Sequence, residues 1–389
     1  MFLILEILFF LSAYAMLHTY IMYPFFLYVF SRNKRNIHAV QYSSTEELPE
    51  VAVICAAYNE EKVIAQKIES TFTSSYPKEK ITFYIGTDAC SDRTVSIIKQ
   101  QQEKYLQLKL IEFTERTGKI NIINKLSSLA QAPVFIMTDA NVFFKENTLF
   151  ELVKHFKDKE VKLVCGNIHK RAINQEAVTK NELQYLNFEN FLKNAESKLW
   201  SIVIGAEGGC YALSKDSYVE IPPHFIADDF FITCNVLSNK SKILFEENAI
   251  VYEDTAAETA GEFRRKTRIA TGNFQNLSYF KGLLGNPFSK TGFAFLSHKV
   301  LRWLTPFFFL INFICCVFLF DHIFFKCVFC MEIIILLIPV LNNLFIKAGL
   351  KLKLLISITH FVVMNIALFV GFIRYCKGVT SSVWQPVRQ

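Results

Sequence analysis

The stretch Val134-Phe-Ile-Met-Thr-Asp-Ala-Asn141 is an apolar run that ends in two oxygen-bearing side chains. A run without polar alternation is typical of a parallel strand that is covered on both faces, and open α/β sheets bind ligands at the carboxyl ends of such strands. Oxygens at Asp139 and Asn141 suit Mg²⁺ or Mn²⁺, which complete their shells with substrate phosphates. The stretch predicts either a metal-assisted nucleotide site or a strand that ends in a turn capped by these two side chains.

The apolar residues are concentrated at the two ends of the chain, and together they make up 52% of its 389 residues. Residues 1–30 contain only Glu6 and His18 as ionisable interruptions. This segment is long enough to span about 30 Å of hydrocarbon. A cleaved signal peptide is the alternative, since Ala13-Tyr14-Ala15 resembles a cleavage site, but no Lys or Arg precedes the run. We therefore expect an uncleaved N-terminal transmembrane anchor over residues 1–30.

Basic residues follow this anchor at Arg32, Lys34 and Arg35. By the positive-inside rule they predict that the next domain is cytoplasmic, at a cell (plasma or inner) membrane. The net charge of +7 is concentrated near membrane segments, and no basic patch interleaved with aromatic residues indicates nucleic-acid binding. The expected partners are a lipid bilayer, its anionic headgroups and sugar-nucleotide phosphates, with no nucleic acid.

The last third of the chain contains three further candidate transmembrane helices, near residues 304–325, 327–346 and 352–373. Before them, residues 289–303 mix basic and large apolar side chains, which is typical of an amphipathic helix in the membrane interface. The sequence thus predicts an integral, multi-pass protein with about four spans. Four spans would leave the basic tail 374–389 outside, against the positive-inside rule, so the side of the tail stays open.

Residues 45–285 have mixed polarity and are numerous enough for one α/β domain. Strand-like and helix-like segments alternate, which predicts βαβ units and a mixed, mainly parallel sheet. The predicted strands are 51–57, 81–87, 108–113 and 134–138, and the predicted helices are 61–73, 91–105 and 119–130.

Polar motifs follow three of the earlier segments of this domain: Ala57-Tyr-Asn-Glu60, Gly86-Thr-Asp-Ala-Cys-Ser-Asp-Arg-Thr94 and Arg116-Thr-Gly-Lys119. The first two come directly after strands, so Asn59 and Glu60 either cap the next helix or contact a nucleoside, and Ser91 or Asp92 can cap a helix. The third is a glycine turn with a lysine at a helix start, which suits a phosphate or ribose. Its alternative is an ordinary solvated turn.

Two further motifs lie downstream, Gly205-Ala-Glu-Gly-Gly209 and Ile226-Ala-Asp-Asp-Phe230. Glycines allow close backbone approach to a ligand, although such a run also suits a flexible connection. A carboxylate near an acceptor hydroxyl can take its proton, and Asp228 would raise the proton affinity of Asp229 if both were close and partly buried. The alternative is an Asp pair that begins a helix and interacts with its dipole.

The last motif, Glu262–Gln275, gathers four cations within five positions: Arg264, Arg265, Lys266 and Arg268. On a helix Arg264 and Arg268 share a face. Guanidinium groups pair bidentately with phosphate oxygens and suit a leaving diphosphate whose charge grows in the transition state. The alternative is a basic juxtamembrane helix that touches lipid headgroups.

The order and spacing of these motifs resemble the family 2 glycosyltransferases, membrane-attached enzymes with a Rossmann-like GT-A fold that include hyaluronan, chitin, cellulose and poly-N-acetylglucosamine synthases. The resemblance covers residues 45–280 and implies a UDP-type sugar donor, a divalent metal (Mg²⁺ or Mn²⁺) and inversion at the anomeric carbon. For the donor, the resemblance implies nucleoside binding by Ala57, Tyr58 and Glu60, base contact by Asp88, ribose or phosphate contact by Lys119, and diphosphate binding by Arg265 and Arg268. For the metal, it implies Asp139 and Asn141 as ligands. For the acceptor, it implies a loop with Gly205, Glu207 and Gly208, and Asp229, beside Asp228, as the general base.

The chain departs from this family pattern at two places. Asn141 stands where the metal motif has a second carboxylate, and its neutral amide supplies less charge to a cation. Where processive synthases often read Gln-x-x-Arg-Trp, this chain reads Arg265-Lys-Thr-Arg268-Ile269 and lacks the tryptophan of the acceptor site. The expected acceptor is a carbohydrate or a lipid-linked group. Because the missing tryptophan argues against long-polymer synthesis, the alternative is transfer of a single sugar to a lipid or polyprenyl phosphate. A further hypothesis is a non-catalytic membrane subunit that keeps the nucleotide-binding fold. A homo-oligomer or partner subunits are also expected as possible partners.

Overall fold

The computed structural model describes residues 2–34, 41–42, 47–172, 177–255 and 259–379. The chain divides into two compact units. We call residues 30–257, 279–283 and 379–389 the sheet unit, and residues 1–29, 258–278 and 284–378 the helical unit. Arg35 and the tail from residue 380 onward lie outside the described residues, so the predictions about them are not addressed by the structure.

The sheet unit is built on an eight-stranded sheet in the order β3-β2-β1-β4-β7-β6-β8-β5. Parallel pairs join β1–β2, β2–β3, β1–β4 and β6–β8, and antiparallel pairs join β4–β7, β6–β7 and β5–β8. The mixed, mainly parallel sheet is therefore confirmed. The strands are β1 Val51–Ala57, β2 Ile81–Asp88, β3 Leu108–Phe113, β4 Val134–Thr138, β5 Val142–Phe144, β6 Val161–Ala172, β7 Cys210–Ser214 and β8 Lys242–Thr255.

The first half of the sheet, β3-β2-β1-β4, matches the predicted strands closely. β1, β3 and β4 have the predicted bounds, and β2 extends one residue further, to Asp88. All residues of β4 are buried, and Val53 and Ile136 are 0% exposed, because helices cover both faces of the sheet. Removal of these apolar side chains from water is the main stabilising contribution to this half.

Two helices of the sheet unit begin three residues later than predicted. The helix expected from Glu61 begins at Ile64, since the Glu60 carbonyl accepts from the amides of Val63 and Ile64 in a preceding turn. The helix expected from Ser91 begins at Thr94, whose amide donates to the Asp92 carboxylate at 3.0 Å. The α-helices of this unit are Ile64–Phe72, Thr94–Lys104, Lys119–Leu129, Thr148–Val153, Ala177–Trp200 and Asp228–Ser238, and short 3₁₀ turns lie at Lys78–Lys80, Lys154–Lys157 and Lys215–Ser217.

The helical unit contains three helices that are long and apolar enough to cross a membrane: Phe2–Ser31, which includes a π-helical turn at His18–Met22, Ile323–Lys347 and Lys353–Cys376. A fourth candidate is a pair of helical segments, Lys290–Trp303 and Thr305–Phe318, bent by 62°. The first segment of the pair changes from α-helix at Lys290–Ala294 to π-helix at Phe295–Val300 and back at Leu301–Trp303. By length and composition, the described residues thus supply three spans, or four if the bent pair crosses.

The span predicted at 304–325 is wrong as a single helix. The helix ends at Phe318 after 14 residues, and the next begins at Ile323. Asp321 and His322 form the turn between them, and His322 Nδ1 accepts from the Phe324 amide at 3.3 Å. The bend before Thr305 has a local cause as well, because Pro306 lacks the amide hydrogen that would otherwise donate to a carbonyl one turn earlier and continue the preceding helix.

The helix Thr259–Tyr279 packs closely against the helix Lys353–Cys376 at Gly371. A Cβ at Gly371 would lie 2.9 Å from the Thr267 carbonyl oxygen and 2.5 Å from the Ala270 Cβ. The Thr271 hydroxyl donates to the Gly371 carbonyl at 3.2 Å, and the Phe274 and Phe372 rings meet edge to face at 5.1 Å. Glycine is therefore needed at position 371 for the two backbones to approach.

Candidate active site

The candidate site begins at one edge of the first half of the sheet. Parallel pairing places the ends of β1 and β2 side by side, with Ala57 opposite Thr87, and β4 runs parallel to β1 on its other side. Consequently the polar motifs that follow these strands emerge at the same edge. This is the position at which open α/β sheets bind ligands.

Asp88, at the end of β2, is 4% exposed and organises the Arg116–Lys119 turn. Its carboxylate accepts from the Thr117 amide at 2.6 Å, from the Gly118 amide at 3.2 Å and from Arg116 Nε at 3.1 Å. Gly118 has a φ of 85°, which glycine adopts without the strain that a Cβ would cause. The buried carboxylate therefore fixes the backbone that presents Lys119.

Arg116 also stacks on the ring of Tyr58, with its Cζ 3.5 Å from the ring centroid. The sequence motif contained Arg116, but reasoning from the sequence gave this residue no role. The pairing joins the loop after β1 to the turn before the helix Lys119–Leu129. A planar cation on an aromatic face, beside a buried carboxylate, forms a surface on which a nucleobase can stack or donate hydrogen bonds.

The side chains of Asn59 and Asp92 join the loops that follow β1 and β2. The Asn59 side chain accepts from the Ser91 amide at 2.9 Å, and Asp92 Oδ2 accepts from the Glu61 amide at 3.1 Å. The Glu60 amide donates to the Thr94 hydroxyl at 2.8 Å, and Glu60 is 7% exposed. These contacts hold the Ala57–Glu60 motif at the sheet edge.

Lys119 brings together two carboxylates that are far apart in sequence. Its Nζ lies 3.0 Å from Asp139 Oδ1 and 3.3 Å from Asp228 Oδ2. Burial alone would lower the pKa of Lys119, but the negative charges of Asp139, Asp228 and Asp229 outweigh that effect and raise it. The ammonium therefore stays charged at neutral pH and neutralises part of the acidic cluster.

Asp229 lies next to this pair in the first turn of the helix Asp228–Ser238. Its Oδ2 accepts from the Gly208 amide at 2.7 Å, and its Oδ1 accepts from the Phe230 amide at 2.7 Å. Burial and the charge of Asp228 raise the pKa of Asp229 to about 7, although Lys119 and the two amides oppose the rise. A carboxylate with this pKa accepts a proton much more readily than an ordinary surface aspartate.

The Gly205–Gly209 loop is fitted closely to this carboxylate. A Cβ at Gly208 would lie 3.2 Å from Asp229 Oδ2 and 3.6 Å from Lys119 Nζ, and Gly205 has a φ of 104°. Glu207, in the same loop, pairs with Lys193 at 2.8 Å. As the sequence alternative predicted, the Asp pair begins the helix Asp228–Ser238, and its carboxylates also contact Lys119 and the Gly208 amide.

Asp139 and Asn141 fit a cation that takes most of its ligands from a substrate. The Asp139 side chain is 39% exposed and can offer oxygen beside Lys119, whereas Asn141 is buried with its Nδ2 3.5 Å from Glu253 Oε1. Within the described residues, no group of three or more His, Cys, Asp or Glu side chains could hold a metal. Mg²⁺ is often bound by one or two carboxylates together with substrate phosphates, and this set agrees with that pattern.

The arginine cluster belongs to the helical unit. Arg264 and Arg265 are exposed on the helix Thr259–Tyr279, and Arg268 is half-buried. The buried face of this helix is instead formed by Thr267, Ala270 and Phe274. The predicted contact of Arg265 and Arg268 with a diphosphate therefore stays a prediction.

Comparison with known proteins agrees with the arrangement of the sheet unit. Residues 52–220 match Glycosyl transferase family 2. A mannosyltransferase from Pyrobaculum calidifontis, solved with GDP-mannose and Mn²⁺, superposes with a TM-score of 0.71 at 19% identity and covers 96% of this chain and 99% of its own. At this identity, the likeness concerns the fold alone.

Two curated relatives are similar to the chain over part of their length. The beta-monoglucosyldiacylglycerol synthase of Synechocystis sp. is 23% identical over 279 residues, or 68% of this chain and 56% of that protein. The poly-beta-1,6-N-acetyl-D-glucosamine synthase of Staphylococcus epidermidis is 21% identical over 241 residues, or 60% of this chain and 57% of that protein. The chain thus spans a little over half the length of these relatives.

The matched residues 52–220 contain β1, β2, β4 and the Gly205–Gly209 loop, and therefore most of the elements that form the site. The predicted family and the predicted Rossmann-like sheet are both confirmed. The chain carries a glycosyltransferase family 2 domain with the GT-A fold.

Proposed function

We propose that this protein is an inverting membrane glycosyltransferase that moves a sugar from a nucleotide-diphosphate sugar to an acceptor hydroxyl. The observation that carries the proposal is the half-buried Asp229 carboxylate, held by the Gly208 and Phe230 amides and with a pKa of about 7, beside the Lys119 bridge between Asp139 and Asp228. A single displacement requires a proton acceptor for the attacking hydroxyl and positive charge for the leaving diphosphate. Both groups lie here beside a sheet edge that suits a nucleotide.

In the proposed reaction, Asp229 removes the proton of the acceptor hydroxyl as the oxygen attacks the anomeric carbon. The bond between that carbon and the diphosphate breaks on the opposite face, so the configuration inverts. The amides of Gly208 and Phe230 hold the Asp229 carboxylate in place during this step. Because the pKa of Asp229 lies near neutral pH, much of this group is ionised there, and its carboxylate is still basic enough to accept the proton.

Other residues bind the donor and balance its charge. Tyr58, Arg116 and Asp88 would hold the nucleoside, and Lys119 would pair with diphosphate oxygens beside Asp139. Arg265 and Arg268 would stabilise the leaving diphosphate. Asp139, with or without Asn141, would hold Mg²⁺ or Mn²⁺, which supplies positive charge to the diphosphate when bound.

The acceptor class is proposed from the similarity to membrane enzymes of glycolipid and polysaccharide synthesis. The chain lacks the tryptophan of the processive motif, and the part of it that the structure describes contains three or four candidate spans. These features favour transfer of a single sugar to a lipid-linked acceptor as the second candidate, beside polysaccharide extension. For both, we propose that the sheet unit lies on the cytoplasmic side of the membrane.

A screen of radiolabelled nucleotide sugars tests the proposal. The purified full-length protein, in lipid vesicles with Mg²⁺ or Mn²⁺, would receive each donor in turn, and products would be separated into lipid-soluble and polymeric fractions. We expect one donor to label one fraction, in an Asp229-dependent manner. Nucleotide binding without transfer or donor hydrolysis, by a folded protein, would favour the non-catalytic subunit instead.

A further inference from the structure

Lys67 is a lysine with a fully buried side chain that the proposed mechanism does not use. It lies on the inner face of the helix Ile64–Phe72 and is 0% exposed. Its Nζ donates to Thr138 Oγ1 at 2.8 Å and to the Val142 carbonyl at 2.7 Å, and it lies 3.6 Å from the centroid of the Phe144 ring. These three contacts fix the ammonium in one position.

The two hydrogen-bond acceptors of Lys67 lie on either side of the Asp139–Asn141 turn. Thr138 is the last residue of β4, and Val142 is the first residue of β5. One ammonium therefore connects both ends of the three-residue segment that carries Asp139. A change in either hydrogen bond would alter the direction in which that segment leaves the sheet.

The same hydrogen-bond chain continues to the loop that holds Asp229. The Thr138 hydroxyl donates to the Gly209 carbonyl at 2.9 Å, and the amide of the preceding residue, Gly208, donates to Asp229 Oδ2 at 2.7 Å. Lys67, Thr138 and Gly209 thus link the Asp139 turn to the position of Asp229. We call these three residues the Lys67 chain.

A lysine at this position is costly for stability. The other buried residues of its helix are Ile64, Ile68, Thr71 and Phe72, so an uncharged side chain would suit the same face. Burial of an ammonium carries a large desolvation penalty, which is offset only in part by its hydrogen bonds. Burial accordingly lowers the pKa of Lys67 to about 8. The stability of the core alone does not account for a cation here.

We propose that Lys67 is a positioning residue that sets the Asp139 turn and the Gly208–Asp229 contact relative to each other through Thr138. The inference rests on the proposed function, because it assumes that Asp139 and Asp229 act on donor and acceptor. Lys67 itself is fully enclosed and touches neither substrate. Its loss would therefore lower the rate of transfer at saturating donor rather than abolish folding or nucleotide binding.

Paired variants test this inference. Thr138→Val keeps the shape of the side chain and removes the hydroxyl, whereas Thr138→Ser keeps the hydroxyl. Lys67→Met removes the ammonium with little change in length, and Lys80→Met is the control, since Lys80 donates to the Leu48 carbonyl at the amino end of the sheet. Each full-length variant would be assayed for thermal unfolding, for binding of UDP and GDP with Mn²⁺, and for transfer per folded molecule.

We expect kcat to fall at least tenfold in Thr138→Val and Lys67→Met, with KM for the donor and nucleotide affinity nearly unchanged. Thr138→Ser and Lys80→Met should stay close to the wild type. The double variant Lys67→Met/Thr138→Val should lose no more than the worse single variant, because both changes break one chain. If Lys67→Met does not fold, the two Thr138 variants decide the question.

Equal transfer per folded molecule in the wild type and Thr138→Val would overturn the inference and leave the proposed function intact. Additive losses in the double variant would also overturn it, since they would indicate separate effects on packing. A folded wild type that binds nucleotide but transfers no sugar from any donor would overturn the proposed function, and this inference with it.

Discussion

The two halves of the sheet supply different parts of the candidate site. In β3-β2-β1-β4, Asp88 ends β2 and Asp139 follows β4, the two strands that pair in parallel with either side of β1, and this buried strand pairing fixes their positions. Beyond β4, Gly208 precedes the antiparallel β7. Its amide donates a hydrogen bond to Asp229, which lies in the first turn of the helix Asp228–Ser238. The proposed donor-binding groups are thus set by strands, whereas the proposed base is set by loop hydrogen bonds. We expect changes at the proposed nucleoside-binding groups of the first half to alter nucleotide affinity, and changes in the Lys67 chain or around Asp229 to alter the transfer rate.

Asp229→Asn should give the largest effect. An amide cannot take the proton of the acceptor hydroxyl, so transfer should fall about a thousandfold, within the range of general-base contributions. Binding of UDP or GDP with Mn²⁺ should be unchanged. The control is Asp216→Asn, since Asp216 is an exposed carboxylate paired with Lys162. Full transfer by folded Asp229→Asn would remove this residue from the mechanism.

Asp88→Asn should act on binding rather than on transfer. The amide oxygen can replace only part of a carboxylate that accepts from Thr117, Gly118 and Arg116. A loss of about 1–3 kcal/mol corresponds to a rise in nucleotide Kd of about 5- to 150-fold. Calorimetric titration and donor saturation kinetics measure it, with Asp158→Asn as the control. A fall in kcat at unchanged KM would contradict the division between the two halves.

The pH profile should report the ionisation of Asp229. Because only the carboxylate form accepts a proton, transfer at saturating donor should rise with pH through about 7 and fall about tenfold per unit at lower pH. Asp228→Asn removes a neighbouring negative charge that raises the Asp229 pKa, so the midpoint should move to lower pH. A transfer rate that does not change between about pH 5 and 9, on both sides of the expected midpoint, would argue against Asp229 as the base.

Glu246→Gln should change stability without changing transfer, although Glu246 belongs to β8 in the second half. Its carboxylate pairs with His155 at 2.7 Å and Lys154 at 3.0 Å. Despite burial, which would raise it, these partners and the Asn248 amide lower the pKa of Glu246 from 4.5 to about 2. We expect a loss of about 2 kcal/mol near neutral pH.

The depressed pKa of Glu246 also fixes the pH dependence of that loss. The carboxylate stabilises the fold above its unfolded pKa of 4.5, and this contribution disappears as pH falls toward about 2. The thermal midpoints of wild type and variant should therefore converge in acid. If Glu246→Gln instead reduced the transfer rate per folded molecule, residues of β8 would also contribute to transfer.

The first half of the sheet was predictable because its strands are continuous apolar runs. The Val134–Thr138 run has no alternation and is buried throughout, so its bounds follow from composition. The second half was not predicted because β6 and β8 mix apolar with polar residues and shift register between Cys165 and Asn167. That irregularity depends on the partner strand, which a local pattern does not contain.

For the site, the motifs predicted Lys119 and the carboxylates that the structure brings together around it, but no role for Arg116 or Lys67. Asp139, Asp228 and Lys119 each lie next to a recognisable strand or helix end. Arg116 and Lys67 instead gain their roles from contacts with Tyr58 and Thr138, which belong to other segments. A sequence signal for Lys67 does exist, since it is the one charged residue on the helix face that also carries Ile64, Ile68, Thr71 and Phe72.

The contact at Gly371 has a consequence for the arginine cluster. With no side chain between the backbones, the helix Thr259–Tyr279 and the last candidate span are expected to move as one body. The tilt of a membrane helix depends on the thickness of the bilayer. The orientation of Arg264, Arg265 and Arg268 should therefore vary with bilayer thickness, so that lipid chain length controls the direction in which this helix presents its positive charge.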